Sequence, residues 1–165
     1  MLKRFAFVII AALLCAGLAA CSSSSSSSKG ESSSPESSSS QARQESKYYD
    51  VSITGAEVVQ DGVLLVTFDY TNKTNTAVNF IQAITTTVFQ DGVQAMQSSD
   101  YVGPTGSDGI TPDFMVKVEP GATATVHMAF SLNGTGDVKV QCVPGFVDGS
   151  YPMDEGVIAQ ASFEI

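Results

Sequence analysis

The sequence predicts an all-β antiparallel sandwich. Apolar and polar side chains alternate with period two through much of residues 48–165. Between those runs stand the turn-forming pairs Asp61-Gly62, Asp91-Gly92, Pro120-Gly121 and Asn133-Gly134. Short strands punctuated by such turns, in a body of 118 residues, fit two packed sheets.

The elements follow in chain order. Val51 and Ile53 start a first, short strand, and Leu64, Val66, Phe68 and Tyr70 line one side of a second over 62–71. A polar connection, Asn72 to Asn75, ends it. In 77–90 the residues Phe80, Ile81, Ile84 and Val88 could also form a helical stripe. The β-branched run Thr85, Thr86, Thr87, Val88 and the Asp-Gly signal after it favour a strand. Helix elsewhere is limited to a turn or two in 98–113. Ala124, Val126, Met128, Phe130 and Leu132 share one face of 122–132, opposite Thr123, Thr125, His127 and Ser131. The same alternation recurs in Val138, Val140, Cys142 and in Val157, Ala159, Ala161, Phe163, Ile165.

Upstream of the body the chain changes character. Met1 to Arg4 carry two positive charges, and an uncharged, largely apolar run of 13 residues follows, too short for a stable membrane span. It ends in Leu18-Ala19-Ala20-Cys21, which resembles the lipobox of bacterial lipoproteins. Residues 1–20 are expected to leave as a signal peptide, and the Cys21 thiol to take a diacylglyceryl group as a thioether. Each buried acyl methylene contributes about 0.8 kcal/mol, so chains of palmitate length, attached in pairs, give a lasting anchor. With Cys15 removed and Cys21 acylated, Cys142 is the one thiol left in the body, which rules out an internal disulfide there. Residues 22–47 include 15 serines among 26 residues and no aromatic or branched aliphatic side chain. Such a segment buries too little to offset chain ordering, so 21–47 is expected to be a lipidated cysteine and a disordered linker spanning roughly 28 Å. The domains expected are therefore 1–20, 21–47 and 48–165.

Charge is concentrated in the body: 14 acidic side chains against Lys73, Lys117 and Lys139, a net −11, while the linker is neutral. A chain of −9 overall repels nucleic-acid phosphates, and its body is repelled from anionic lipid headgroups.

The order Tyr49-x-Val51-x-Ile53, Asp69-Tyr70-Thr71-Asn72-x-Thr74, Val88-Phe89-Gln90-Asp91-Gly92, Glu119-Pro120-Gly121-Ala122-Thr123 and Ala129-Phe130-Ser131-Leu132 resembles the immunoglobulin-like extracytoplasmic lipoprotein domain of unknown function common in Gram-positive bacteria. The resemblance covers most of 48–143 and rests on turns and core positions. It implies an immunoglobulin-like antiparallel sandwich of about seven to eight strands on the outer face of the cell membrane, with no established catalytic residues to carry over. The chain departs from antibody-type domains in having no tryptophan and no disulfide pair. Residues 144–156 look like an insertion before the last strand.

Candidate sites lie in the two long loops, 98–113 and 144–156. Tyr101, Phe146 and Tyr151 are candidate partner-binding aromatics, and they could equally cap the ends of the sandwich. Asp100, Asp108 and Asp113 in the first loop, and Asp148, Asp154 and Glu155 in the second, are candidate calcium ligands, because calcium takes six to eight oxygens from flexible loops. Their spacing matches no EF-hand. His127 is expected to be exposed and solvated, Cys142 to be an inert inward thiol, and the methionines to be core and loop residues. No nucleophile, base or cofactor motif emerges, so no enzyme and no cofactor are expected. The function read from the sequence is a membrane-anchored surface lipoprotein presenting a non-enzymatic binding or structural module to a protein or glycan partner. A divalent-cation-binding accessory is the alternative.

Overall fold

The computed structural model describes residues 40–165 apart from 102, 148, 149, 151 and 153. In chain order these form β1 (Ser40–Arg43), β2 (Tyr49–Gln60), β3 (Val63–Asn72), β4 (Val78–Asn79), a one-turn helix α1 (Phe80–Ala83), β5 (Ile84–Gln90), β6 (Val93–Ala95), a 3-10 turn (Asp113–Met115), β7 (Lys117–Val118), β8 (Thr123–Ser131), β9 (Asp137–Pro144) and β10 (Ala159–Glu164). One sheet has the order β1-β10-β9-β5-β6 and the other β2-β3-β8, with the two-residue pair β4-β7 beside them. Every ladder is antiparallel. The all-β sandwich read from alternation is the fold.

The turns do what their residues allow. Asp91 and Gly92 both adopt positive φ, +49° and +81°, the mirror-image turn whose twist matches that of the β5-β6 hairpin it closes. Downstream of β6 the chain changes sheets. Ser131 N–H donates to the Met96 carbonyl (2.8 Å) and Ser98 N–H to the Ala129 carbonyl (2.8 Å), so 96–98 runs along the edge of β8 and stitches the sheets together.

The core lies between the sheets and carries the inward sets foreseen for β3, β8, β9 and β10, including Leu64, Phe68, Val126, Met128, Val140 and Ala161. At one end it is closed by aromatics. The Tyr49 and Tyr70 ring centres lie 5.8 Å apart, and Phe80 packs 4.9 Å from Phe68 and edge-on, 5.5 Å, to Tyr70. Burial pushes the Tyr70 phenol pKa upward, helped by Tyr49, and among the described residues its hydroxyl has no hydrogen-bond partner.

Three expectations need correction. The continuous strand over 77–90 is broken by α1. Asn79 accepts the Gln82 N–H (3.0 Å) as an N-cap, and the single turn swings Phe80 and Ala83 into the core. The described residues form ten strands, because β1, β4 and β7 are short additions. The last part of the expected linker, from Ser40, belongs to the body. There β1 pairs with β10, Gln44 N–H donates to the Ile158 carbonyl (2.8 Å), and Arg43 pairs with Asp50. An edge strand is held by main-chain groups, so a polar composition does not prevent it. Cys21, the expected signal peptide and the remainder of the linker lie outside the described residues. Among the described residues no helix is long and apolar enough to cross a membrane.

Candidate functional site

The first long loop is built from the edge of β8. It closes on itself through Asp113 N–H to the Pro104 carbonyl (3.1 Å) and Gly106 N–H to the Thr111 carbonyl (2.8 Å). At its tip the Asp108 carboxylate accepts the Thr111 hydroxyl (2.6 Å) and the Ile110 and Thr111 N–H groups (3.0 and 2.9 Å). Those bonds, the hydroxyl's foremost, hold the Asp108 pKa down to about 2. Asp108 thus braces a turn whose apex, Ile110, is 80% exposed. In sequence its signal is an isoleucine set inside the turn Asp108-Gly109-Ile110-Thr111.

Asp113 is engaged differently. Its Oδ1 accepts the His127 N–H (2.9 Å) and its Oδ2 lies 2.6 Å from His127 Nδ1. His127 does face outward from β8, as alternation required, but it is not a solvated histidine. Its side chain is 22% exposed and that of Asp113 13%, because the loop folds back over this face. The pair fixes the ring and clamps the loop to the sheet.

Tyr101 is half-buried on Val63, Leu65 and Ala129, a small apolar patch on the outer face of the three-stranded sheet. With His127, Phe114 and Ser98 it lines a cavity of about 170 Å³. It therefore packs on a sheet face and not over an open end of the sandwich. Phe146 is 47% exposed at the α1 end. Its carbonyl accepts the Tyr49 hydroxyl (3.2 Å) and its N–H donates to the Gln82 carbonyl (3.1 Å). Gly145 permits this approach, since a Cβ there would lie 2.6 Å from the Gln82 carbonyl oxygen. Phe146, Ile81 and Val78 line a groove of about 410 Å³ that does not include Tyr101. Tyr151 and Asp148 lie outside the described residues.

The remaining carboxylates have local duties. Asp100 accepts the Ser99 hydroxyl (3.3 Å), Asp154 pairs with Lys47 Nζ (3.4 Å) and Glu155 Oε1 accepts the Lys47 N–H (3.2 Å). The second loop therefore holds the residue at which the linker was expected to end. Among the described residues no three His, Cys, Asp or Glu side chains gather closely enough to hold a metal ion. Cys142 is fully buried, and burial pushes its pKa up to about 12, as expected of an inert inward thiol.

Residues 23–144 match a family described as a domain of unknown function, DUF5067. The chain belongs to the DUF5067 family. The match takes in the sandwich through β9 and stops before the second loop and β10. No curated protein matches the chain. A solved structure similar to it is that of a candidate lipoprotein, ycdA, from Bacillus subtilis, at 11% identity and a TM-score of 0.47. That likeness covers 70% of this chain and 37% of the other, so the chain spans little more than a third of that protein.

Proposed function

We propose that this DUF5067 chain is a surface lipoprotein, held at the outer face of the cell membrane through Cys21, that presents a non-enzymatic immunoglobulin-like binding module to a protein or glycan of the envelope. The observation that carries the reading is the Leu18-Ala19-Ala20-Cys21 signature after a charged start and an apolar run, with a serine-rich linker behind it. Strand order supports the immunoglobulin-like part. β2-β3-β8 with β6-β5-β9-β10 follows the A-B-E and C′-C-F-G orders of such sandwiches. The entry point supports an outward-facing end. β1 runs from the side of the Asp91-Gly92 turn toward α1, so Phe146, Ile81 and Val78 sit at the end away from the incoming chain.

A fatty-acid probe fed to cells should label the protein at Cys21, and Cys21→Ala should be unlabelled and shed from the membrane. In the same cells Phe146→Ser with Ile81→Ser should lose capture of envelope material while the purified body still unfolds in one cooperative transition. An unlabelled wild type removes the anchor, and undiminished capture removes the α1 end. The second reading, a calcium-binding accessory, is supported by Glu155 Oε2, which is buried with no hydrogen-bond partner among the described residues. A melting temperature identical in millimolar calcium and in chelator would dismiss it.

A further inference from the structure

β8 is half covered. His127 N–H donates to Asp113 Oδ1, Ser98 N–H to the Ala129 carbonyl and Ser131 N–H to the Met96 carbonyl. Odd-numbered positions of β8 therefore use the edge away from β3. Asn72 N–H donates to the Ala122 carbonyl, which places the even positions toward β3. The two-residue period turns the N–H and C=O of Thr123 and Thr125 outward as well. Among the described residues nothing is hydrogen-bonded to those main-chain groups, and both threonines are exposed.

This open stretch forms one wall of a groove of about 530 Å³, whose other sides include Gly106, Val116, Lys117 and Val118. A Cβ at position 106 would lie 2.5 Å from Val116 Cγ2, so the bare glycine lets the far wall close in. Unpaired edges invite another strand, and the free edge of β2 is a poorer template, because register shifts at Ile53/Gly55 and Val58/Gln60 interrupt it. The groove is sized for a chain segment and not for a second globular body.

We propose that the Thr123–Thr125 edge of β8 is a strand-addition site for an extended segment of a protein partner with basic flanks. Main-chain bonds to Thr123 and Thr125 would supply the pairing, and alternate side chains would rest on Val116 and Val118. The basic flanks follow from charge. Glu119 lines the groove beside Lys117, the Asp69 carboxylate lies next to it holding the Thr125 hydroxyl (2.8 Å), and the body carries −11. The inference rests on the binding-module reading for the existence of a partner, and on neither the anchor nor the α1 end for its site.

The test is amide hydrogen exchange on the full chain, with a seven-residue probe of alternating threonine and valine flanked by lysines. In the free chain the Thr123 and Thr125 amides should exchange about 100-fold faster than those of Ala124 and Val126, which face β3. The millimolar probe should slow both threonine amides about tenfold, and a glutamate-flanked version should do so about tenfold less well. A probe N-methylated at alternate residues should have no effect. Thr125→Pro, which deletes an N–H that β3 does not use, should abolish the protection. The proposal is overturned if both amides are already slow in the free chain, if the lysine probe gives no protection, or if the methylated or acidic probe works as well. None of these outcomes depends on Cys21 labelling or on Phe146.

Discussion

Replacing Phe80 with alanine is expected to cost about 3–5 kcal/mol, the range for a large aromatic removed from a closed core. Phe80 is fully buried, with its ring 4.9 Å from Phe68 and edge-on to Tyr70 at 5.5 Å. Its neighbours are fixed on β3, whose register is set on both sides by β2 and β8, so they have little freedom to collapse into the space left behind. Against the usual 5–15 kcal/mol of a domain this is a large fraction, visible as a lower urea midpoint at unchanged slope. Ile81→Ala, one residue on and 39% exposed, should cost under about 1 kcal/mol. If the two variants unfold at similar midpoints, α1 is not a plug and the account of the core's closed end is wrong.

α1 also marks where the sequence stops being legible. β3 and β8 were readable because burial alternates over Val66–Asn72 and Thr123–Met128, although Val63, Leu65 and Ala129 are buried on the outer face as well. Phe80, Ile81 and Ile84 carried a helical signal, but it spans a single turn and was outweighed by Thr85 to Val88, which do form a strand. β1 left no signal, because pairing with β10 uses main-chain groups that every residue owns. β2 proved longer than its apolar pair Val51 and Ile53 suggested, since it continues beyond them as a hairpin arm over half-buried and exposed residues.

The candidate site divides along the same line. Alternation placed His127 on the outer face of β8, which is correct, yet what covers that face is a loop 14 residues back in the chain. The acids of the first loop looked like one cluster. Asp108 turned out to brace its own turn, Asp100 to bond the neighbouring Ser99, and Asp113 to hold a histidine, because each found a nearer donor. Tyr101 and Phe146 read alike in sequence and separate in space, one lying on the three-stranded sheet and the other at the α1 end. The β8 edge is invisible to composition altogether, since it consists of main-chain groups without hydrogen-bond partners among the described residues.

Asn72→Asp is the second change expected to be severe, at about 3–5 kcal/mol near pH 8, the range for an uncompensated charge in a core. Asn72 is fully buried and every polar atom of its side chain is used. Nδ2 donates to the carbonyls of Thr76 (2.8 Å) and Val118 (2.9 Å), while Oδ1 accepts the Thr74 N–H (3.0 Å) and hydroxyl (2.7 Å). It thereby ties the end of β3 to the 73–76 turn and to β7. A carboxylate of the same shape keeps the accepted bonds but sets a negative oxygen against two carbonyl oxygens, with no donor left. Burial and those carbonyls raise the new carboxyl's pKa in the folded chain above the unfolded value of about 3.9. A folded-state pKa above the unfolded one means that stability is fullest below the unfolded value and falls as pH rises through the folded one. The deficit relative to wild type should therefore shrink between pH 8 and pH 4, because the protonated group regains one donor. Asn72→Ala, which has no charge to titrate, should show a deficit of about 2–4 kcal/mol, nearly independent of pH. Urea midpoints for the three proteins at both pH values decide the matter. A deficit of Asn72→Asp that is constant with pH, or equal to that of Asn72→Ala throughout, would mean that Nδ2 is not the tie between β3 and β7.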